Sequence, residues 1–187
     1  MAWVRVVPEG EAEGAVKEAY DHVRKQRGRV ANVVAISSLL PRAMTTMMDF
    51  YLALMFGAHK LPRAHREMVA VEVSRANRCE YCVRHHGAAL ARVTKDEAFA
   101  RQLMEGDPVL RLDARDAAML AYARKLTLRP AEMNPKDVEA LRAAGFDDEE
   151  IVAVNHIASY FNMMNRYVLG LGVELEPDAG ADPRYKY

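Results

Sequence analysis

Apolar residues recur along most of this chain at spacings of three and four, the period of an α-helix. From Glu9 to Gln26 the pattern sets Val16, Ala19, Tyr20 and Val23 on one face. Residues 27–38, RGRVANVVAISS, read as a connection with a buried apolar segment. Pro41 suits the first turn of the next helix and Gly57 its end. Between them Met44, Met47, Met48, Tyr51, Leu52 and Met55 form a broad stripe, read as core first and otherwise as the wall of an apolar pocket over the cysteines. Pro62 opens a helix to about Ala76 with Asn77 as its stop, and another runs from near Cys79 to Arg92. Thr94 and Glu97 have capping-box spacing for the next start, and Asp107-Pro108 breaks that helix. Helices also fit at 113–128, at 135–144 behind Asn134, and at 148–170 behind Asp147 with Glu150 three residues on. Only WVRVV (3–7) and NVVAI (32–36) suggest strands, and both are short. The tail from Glu174, ending EPDAGADPRYKY, has two prolines and no periodicity; it reads as disordered or as an arm laid on a neighbouring subunit.

The expected fold is therefore an all-α bundle, one domain over 1–187. Its core spans about 40–172, between an N-terminal helical arm (1–39) and an irregular tail (174–187). An internal echo adds a helical-hairpin repeat. Glu67-Met-Val-Ala-Val returns 83 residues later as Glu150-Ile-Val-Ala-Val, which sets Cys79 and Cys82 against Asn162 and Asn165. Thiols in one copy face amides in the other, so the first copy is expected to hold the chemistry.

Composition narrows the function classes. A chain of 187 residues that is 51% hydrophobic can bury a real core. Lys plus Arg equals Asp plus Glu at 26 each, so no global basic field exists to hold nucleic acid or an anionic membrane. No apolar run approaches a membrane span, and the first residues lack the pattern of a signal peptide. A cytoplasmic location is expected. In a reducing compartment, a close CxxC pair points to catalysis or metal binding before a structural staple.

The two cysteines of the chain lie in RCEYCVRHH, residues 78–86. On one helix, Cys79, Cys82 and His86 share a face at offsets of three, four and seven. Cys79 falls at the helix start, where backbone N–H groups and the dipole favour a thiolate. Arg75, Arg78 and Arg84 add positive potential. His86 can take a proton from Cys82, and a hairpin can bring Glu67, 12 residues before Cys79, against His86 or the thiols. Such a set suits a two-thiol peroxidase. A thiolate cleaves the O–O bond and becomes a sulfenic acid, a second thiol condenses with it, and a His–Glu relay supplies the proton that the leaving alkoxide needs. An external dithiol then reduces the disulfide.

The full pattern, Glu67-x11-Cys79-x2-Cys82-x3-His86, resembles the alkylhydroperoxidase D-like proteins of the carboxymuconolactone decarboxylase superfamily. Together with SYFNMMNRYVLGLG (159–172), it looks like their peroxidase-related branch. The resemblance implies an all-helical fold that assembles as homo-oligomers, trimers or hexamers. It implies Cys82 as the thiol that attacks peroxide, Cys79 as the resolving thiol, and Glu67 with His86 as the proton relay. The implied partners are a hydroperoxide and an external dithiol, a lipoyl-bearing or thioredoxin-like protein. Nucleic acid and membrane are not expected, and no cofactor is required. The family's best-studied members carry a histidine directly before the second cysteine. Here Tyr81 stands there, a phenol that can donate a hydrogen bond to the site but is a poor base near neutral pH.

Zinc on Cys79, Cys82, His86 and Glu67 lacks the second ligand pair of a structural site, so no metal is expected. A lyase acting on a lactone, or a redox-sensing or structural oligomer without turnover, are the alternative functions. His85 lies about 100° round the helix from His86 and is expected at a surface or interface. His59 and His65 are expected in solvent and His156 in the core. Asn162 and Asn165 are expected to make hydrogen bonds in helix packing.

Overall fold

The computed structural model describes residues 2–107, 110 and 112–178, and the description that follows concerns these. The helices are α1 (Gly14–Arg27), α2 (Asn32–Ala35), α3 (Pro41–Phe56), α4 (Arg63–Ala76), α5 (Glu80–Thr94), α6 (Glu97–Glu105), α7 (Ala114–Leu128), α8 (Pro135–Ala143) and α9 (Asp148–Leu171). The fold is all-α, as the periodicity predicts. No strand occurs among the described residues. WVRVV bends at Trp3 and Val4 and forms no strand, and NVVAI winds into the short α2. None of these helices is long and apolar enough to cross a membrane.

α4 is the axis of the bundle. It packs on α5, α6, α7, α9 and α3, and every residue from Arg66 to Ser74 is buried. A helix enclosed on all sides must satisfy its charges internally. Arg66 does so by donating to the carbonyls of Leu61 at 2.7 Å, Gly57 at 2.9 Å and Met55 at 3.2 Å. It thereby places positive charge at the negative end of α3. Glu72 accepts from Arg75 at 2.7 Å and from Arg124 of α7 at 3.1 Å. Glu67 is the third buried charge, and its partners belong to the site. Around these polar anchors Val69, Ala70, Val71 and Val73 are wholly buried. Each such valine contributes roughly 1.5–3 kcal/mol relative to exposure.

The N-terminal segment and the described part of the tail pack on the outer parts of the bundle. α1 packs on α3 through Ala19, Tyr20 and Val23 against Met44 and Met48. The Tyr20 hydroxyl donates to the Val7 carbonyl at 2.7 Å, and the Trp3 N–H to the Leu171 carbonyl at 2.9 Å. Residues 174–178 of the tail fold back on their own chain: Arg29 meets Asp178 at 2.6 Å, and Asn32 donates to the Glu174 carbonyl at 3.0 Å. The rest of the tail, 179–187, and the residue after Asp107, where a helix break is expected, lie outside the described residues.

Capping follows the sequence at α8, where Asn134 and Asp137 form a reciprocal box, and at α9, where Asp147 and Glu150 do the same. It departs at α6. There Asp96 is the cap, accepting from the Phe99 N–H at 2.9 Å, while Thr94 bonds the Leu90 carbonyl at the end of α5. Asp is as good a cap as Thr, and Lys95 has already turned the chain with a left-handed φ of 58°. The 83-residue offset lays α4, its turn and the start of α5 on the single unbroken helix α9.

Candidate active site

A tight turn sets the site. After α4 ends at Asn77, Arg78 takes φ 56°, its N–H bonding the Arg75 carbonyl at 3.0 Å and the Cys79 N–H the Ser74 carbonyl at 2.8 Å. The turn delivers Cys79 to the N-cap position of α5. Cys82, His85 and His86 follow within the next two turns. α5 lies against α4, so His86 meets Glu67: Nδ1 sits 2.7 Å from Oε2. Glu67 is fully buried, and its other oxygen accepts from Arg63 Nε at 2.8 Å, with a second Arg63 nitrogen on the same atom. Arg63 was missed in the sequence, although its i,i+4 spacing to Glu67 is a visible signal. Burial pushes the Glu67 carboxyl up, but the charge and hydrogen bond of His86, then those of Arg63, outweigh it and hold it below the ordinary value.

Both thiols are free and buried, and they hydrogen-bond each other. The bond to Cys79, with burial second, pushes Cys82 well above the ordinary thiol value. The same bond, seen from the acceptor, holds Cys79 below it against the opposing effect of burial. Asn165 touches both sulfurs, and Ser74 touches that of Cys82. Asn165 is wholly buried, donates to Ser74 Oγ at 3.1 Å and accepts from Asn77 at 2.9 Å. The amide read as a packing group is thus also a direct neighbour of the thiols.

Cys82 and His86 open on a pocket of about 60 Å³, walled by Val33, Val34, Met48, Tyr51, Phe161 and Met164. Cys79 does not line it. The His86 ring is held edge-on by Phe161, with centroids 4.4 Å apart. Met48, from the stripe read as core, faces this pocket, whereas Met44 and Met55 are wholly buried.

His85 corrects the expectation of a surface residue. It is 7% exposed, lines the same pocket, and places Nε2 2.9 Å from Glu176 Oε2. Tyr81 stacks on it at 4.6 Å and donates its hydroxyl to Glu176 Oε1 at 2.8 Å; the Val33 N–H donates to that hydroxyl at 3.3 Å. The Asn32 N–H completes the set on Glu176 at 2.7 Å. No periodicity marked Glu176, which lies in the irregular tail. Three further histidines also differ from expectation. His156 is exposed beside Phe50, His65 meets Asp116 at 2.9 Å, and His59 bonds the Leu54 carbonyl at 2.8 Å. No group of three or more His, Cys, Asp and Glu side chains is disposed to hold a metal ion among the described residues.

Comparison with known proteins gives the same direction. Residues 41–124 match the carboxymuconolactone decarboxylase family. The crystal structure of a peroxidase-related protein from Silicibacter sp. TM1040 is 29% identical, with TM-score 0.84 over 96% of this chain and 94% of that one. A peroxidase-related protein from Ralstonia eutropha JMP134, described as an alkylhydroperoxidase AhpD core, is 28% identical, with TM-score 0.85 over 98% and 96%. The protein YdfG of Bacillus subtilis (strain 168) is 22% identical over 139 residues, 74% of this chain and 93% of its own length.

Proposed function

Because the chain belongs to the alkylhydroperoxidase D-like carboxymuconolactone decarboxylase superfamily, we propose that it is a thiol-dependent peroxidase acting on hydroperoxides. One observation carries this reading. Of the two bonded thiols, Cys82 opens on an apolar pocket beside a carboxylate-backed imidazole, while Cys79 lies behind it.

A thiol is a poor nucleophile until its proton leaves. The bond to Cys79 and burial both disfavour a Cys82 thiolate, so a base must draw the proton off. His86, one turn along α5, takes the proton, and Glu67 steadies the imidazolium that results. Once the pair carries one negative charge, a proton shared between the sulfurs also lets that charge rest on Cys82. The Cys82 sulfur bonds the distal peroxide oxygen, the O–O bond breaks, and the electron pair leaves on the proximal oxygen, which is protonated to an alcohol. Cys82 is then a sulfenic acid. Cys79 attacks it, a disulfide forms and water departs. An external dithiol, of lipoyl or thioredoxin type, restores both thiols by exchange. Tyr81 holds the wall of the pocket through Glu176. We read the working form as a homo-oligomer, a trimer or hexamer, since Phe50, Val152, Met163 and Leu169 stay exposed on the single chain.

The test is a titration of free thiols after stoichiometric organic hydroperoxide, on wild type and on Cys82→Ser. Wild type should lose both thiols and recover them with a dithiol. Cys82→Ser should keep Cys79 reduced and show no turnover. Full turnover by Cys82→Ser, or intact thiols in wild type, overturns the reading.

A further inference from the structure

Cys82 stands between two imidazoles. His86 follows it by four residues and His85 by three, so the rings leave α5 on either side of the sulfur, about 100° apart. Both line the pocket on which Cys82 opens. Each is backed by a buried carboxylate, Glu67 at Nδ1 of His86 and Glu176 at Nε2 of His85. Glu176 is no stray surface charge. It is 4% exposed and is fixed by the Asn32 N–H at 2.7 Å and the Tyr81 hydroxyl at 2.8 Å. The segment that carries it is tied down again by Arg29 on Asp178.

Peroxide reduction sets two proton tasks of opposite sense. The Cys82 thiol must lose a proton, and the departing oxygen must gain one. Building on the peroxidase reading, we propose that His85 is a second catalytic residue of the pocket, the acid that protonates the leaving alkoxide, with Glu176 as its positioning residue. The Cys82 sulfur bonds the distal oxygen, the O–O pair departs on the proximal oxygen, and the His85 imidazolium gives that oxygen its proton. His86 holds the proton that Cys82 lost. Thiol and hydroperoxide become sulfenic acid and alcohol, and solvent carries a proton from His86 back to His85. An imidazolium has a proton on each ring nitrogen, so His85 can keep its bond to Glu176 while it acts as a donor.

A leaving group that needs no proton separates this role from mere anchoring of the tail. Tert-butyl hydroperoxide expels a basic alkoxide, whereas peracetic acid expels acetate. Rapid-quench thiol titration with each oxidant is run on wild type, His85→Gln and Glu176→Gln. His85→Gln should slow thiol loss with tert-butyl hydroperoxide by roughly a hundredfold, yet stay within about threefold of wild type with peracetic acid. Glu176→Gln should show the same selectivity at about tenfold. An equal fall on both oxidants makes His85 a structural anchor and overturns the proposal, as does no fall on either. If wild type loses no thiol to either oxidant, the peroxidase reading fails with it. If wild type reacts and His85→Gln matches it, only the role of His85 falls.

Discussion

His86 and His85 are neighbours on one helix, and each leans on a glutamate, yet the two pairs are built differently. Glu67 comes from the adjacent helix of a hairpin, 19 residues from His86, and sits wholly buried in the central helix of the bundle. Arg63 shares its charge. Glu176 comes from an irregular segment 91 residues from His85, and its other partners are a phenol and a backbone N–H. The first pair is part of the core, so it cannot be broken without cost to the fold. The second is a latch that joins residues 174–178 and the start of α2 to the pocket, so its loss should open the site while the bundle stands.

The largest expected effect follows from that contrast. Glu67→Gln leaves the Arg63 guanidinium without the buried carboxylate that balances it, and His86 without its acceptor. Removing one member of a buried pair costs about 3–5 kcal/mol, a large part of the ~5–15 kcal/mol that holds a typical domain. Urea unfolding followed by circular dichroism should show this as a lowered midpoint for the whole protein. An unchanged midpoint would mean that the pair is no more structural than its neighbour.

Glu176 should respond more locally and with a defined pH dependence. Burial alone would raise its carboxyl, but the hydrogen bond from His85, then the Asn32 N–H and the charge of His85, bring it down to about 2 from the ordinary 4.5. A folded value below the unfolded one stabilises the docked tail fully above about 4.5, and this contribution is lost as pH falls toward about 2. The size is on the order of 3 kcal/mol. Glu176→Gln should therefore raise proteolysis of the tail at pH 7, and its difference from wild type should shrink as pH drops below 4.5. A difference that is constant with pH would show that the carboxylate charge is not what latches the tail.

The two pairs also differ in how far the sequence reveals them. Glu67, both cysteines and His86 stand at fixed offsets across two consecutive helices, and helical period alone brings such residues together. Glu176 has no period, because its backbone runs through a turn held by long-range contacts to Asn32, Tyr81 and His85. Reading His85 as peripheral used the angle between it and His86. That angle is real, but a pocket spanning one face of α5 takes in both rings. The exposure of His156 has a similar cause: Val154, Ile157 and Ala158 carry the buried face of α9 there, and His156 falls outside it, beside Phe50. Local helices, caps and hairpin contacts were therefore legible. What the tail does, and which of two adjacent side chains reaches a cavity, depends on tertiary packing that spacing does not encode.

The turn that aims both pairs offers the finest test. Arg78 carries φ 56° between the end of α4 and Cys79, and this turn sets the rotational phase of α5. A left-handed conformation costs a residue with a Cβ roughly 1–2 kcal/mol. Glycine escapes that cost but loses about 0.5–1 kcal/mol more in chain entropy on folding. The two effects nearly cancel, so Arg78→Gly should stay within about 1 kcal/mol of wild type, on the stabilising side. Because glycine adopts the same φ, α5 keeps its phase, and both imidazoles should keep their carboxylates. The urea midpoint and the rate of peroxide-driven thiol loss should then barely move. If stability holds but thiol loss slows, the Arg78 guanidinium acts on the sulfurs through its charge. The field at the start of α5 would then count as a further influence on Cys79, beside its bonds to Cys82 and Asn165 and its burial.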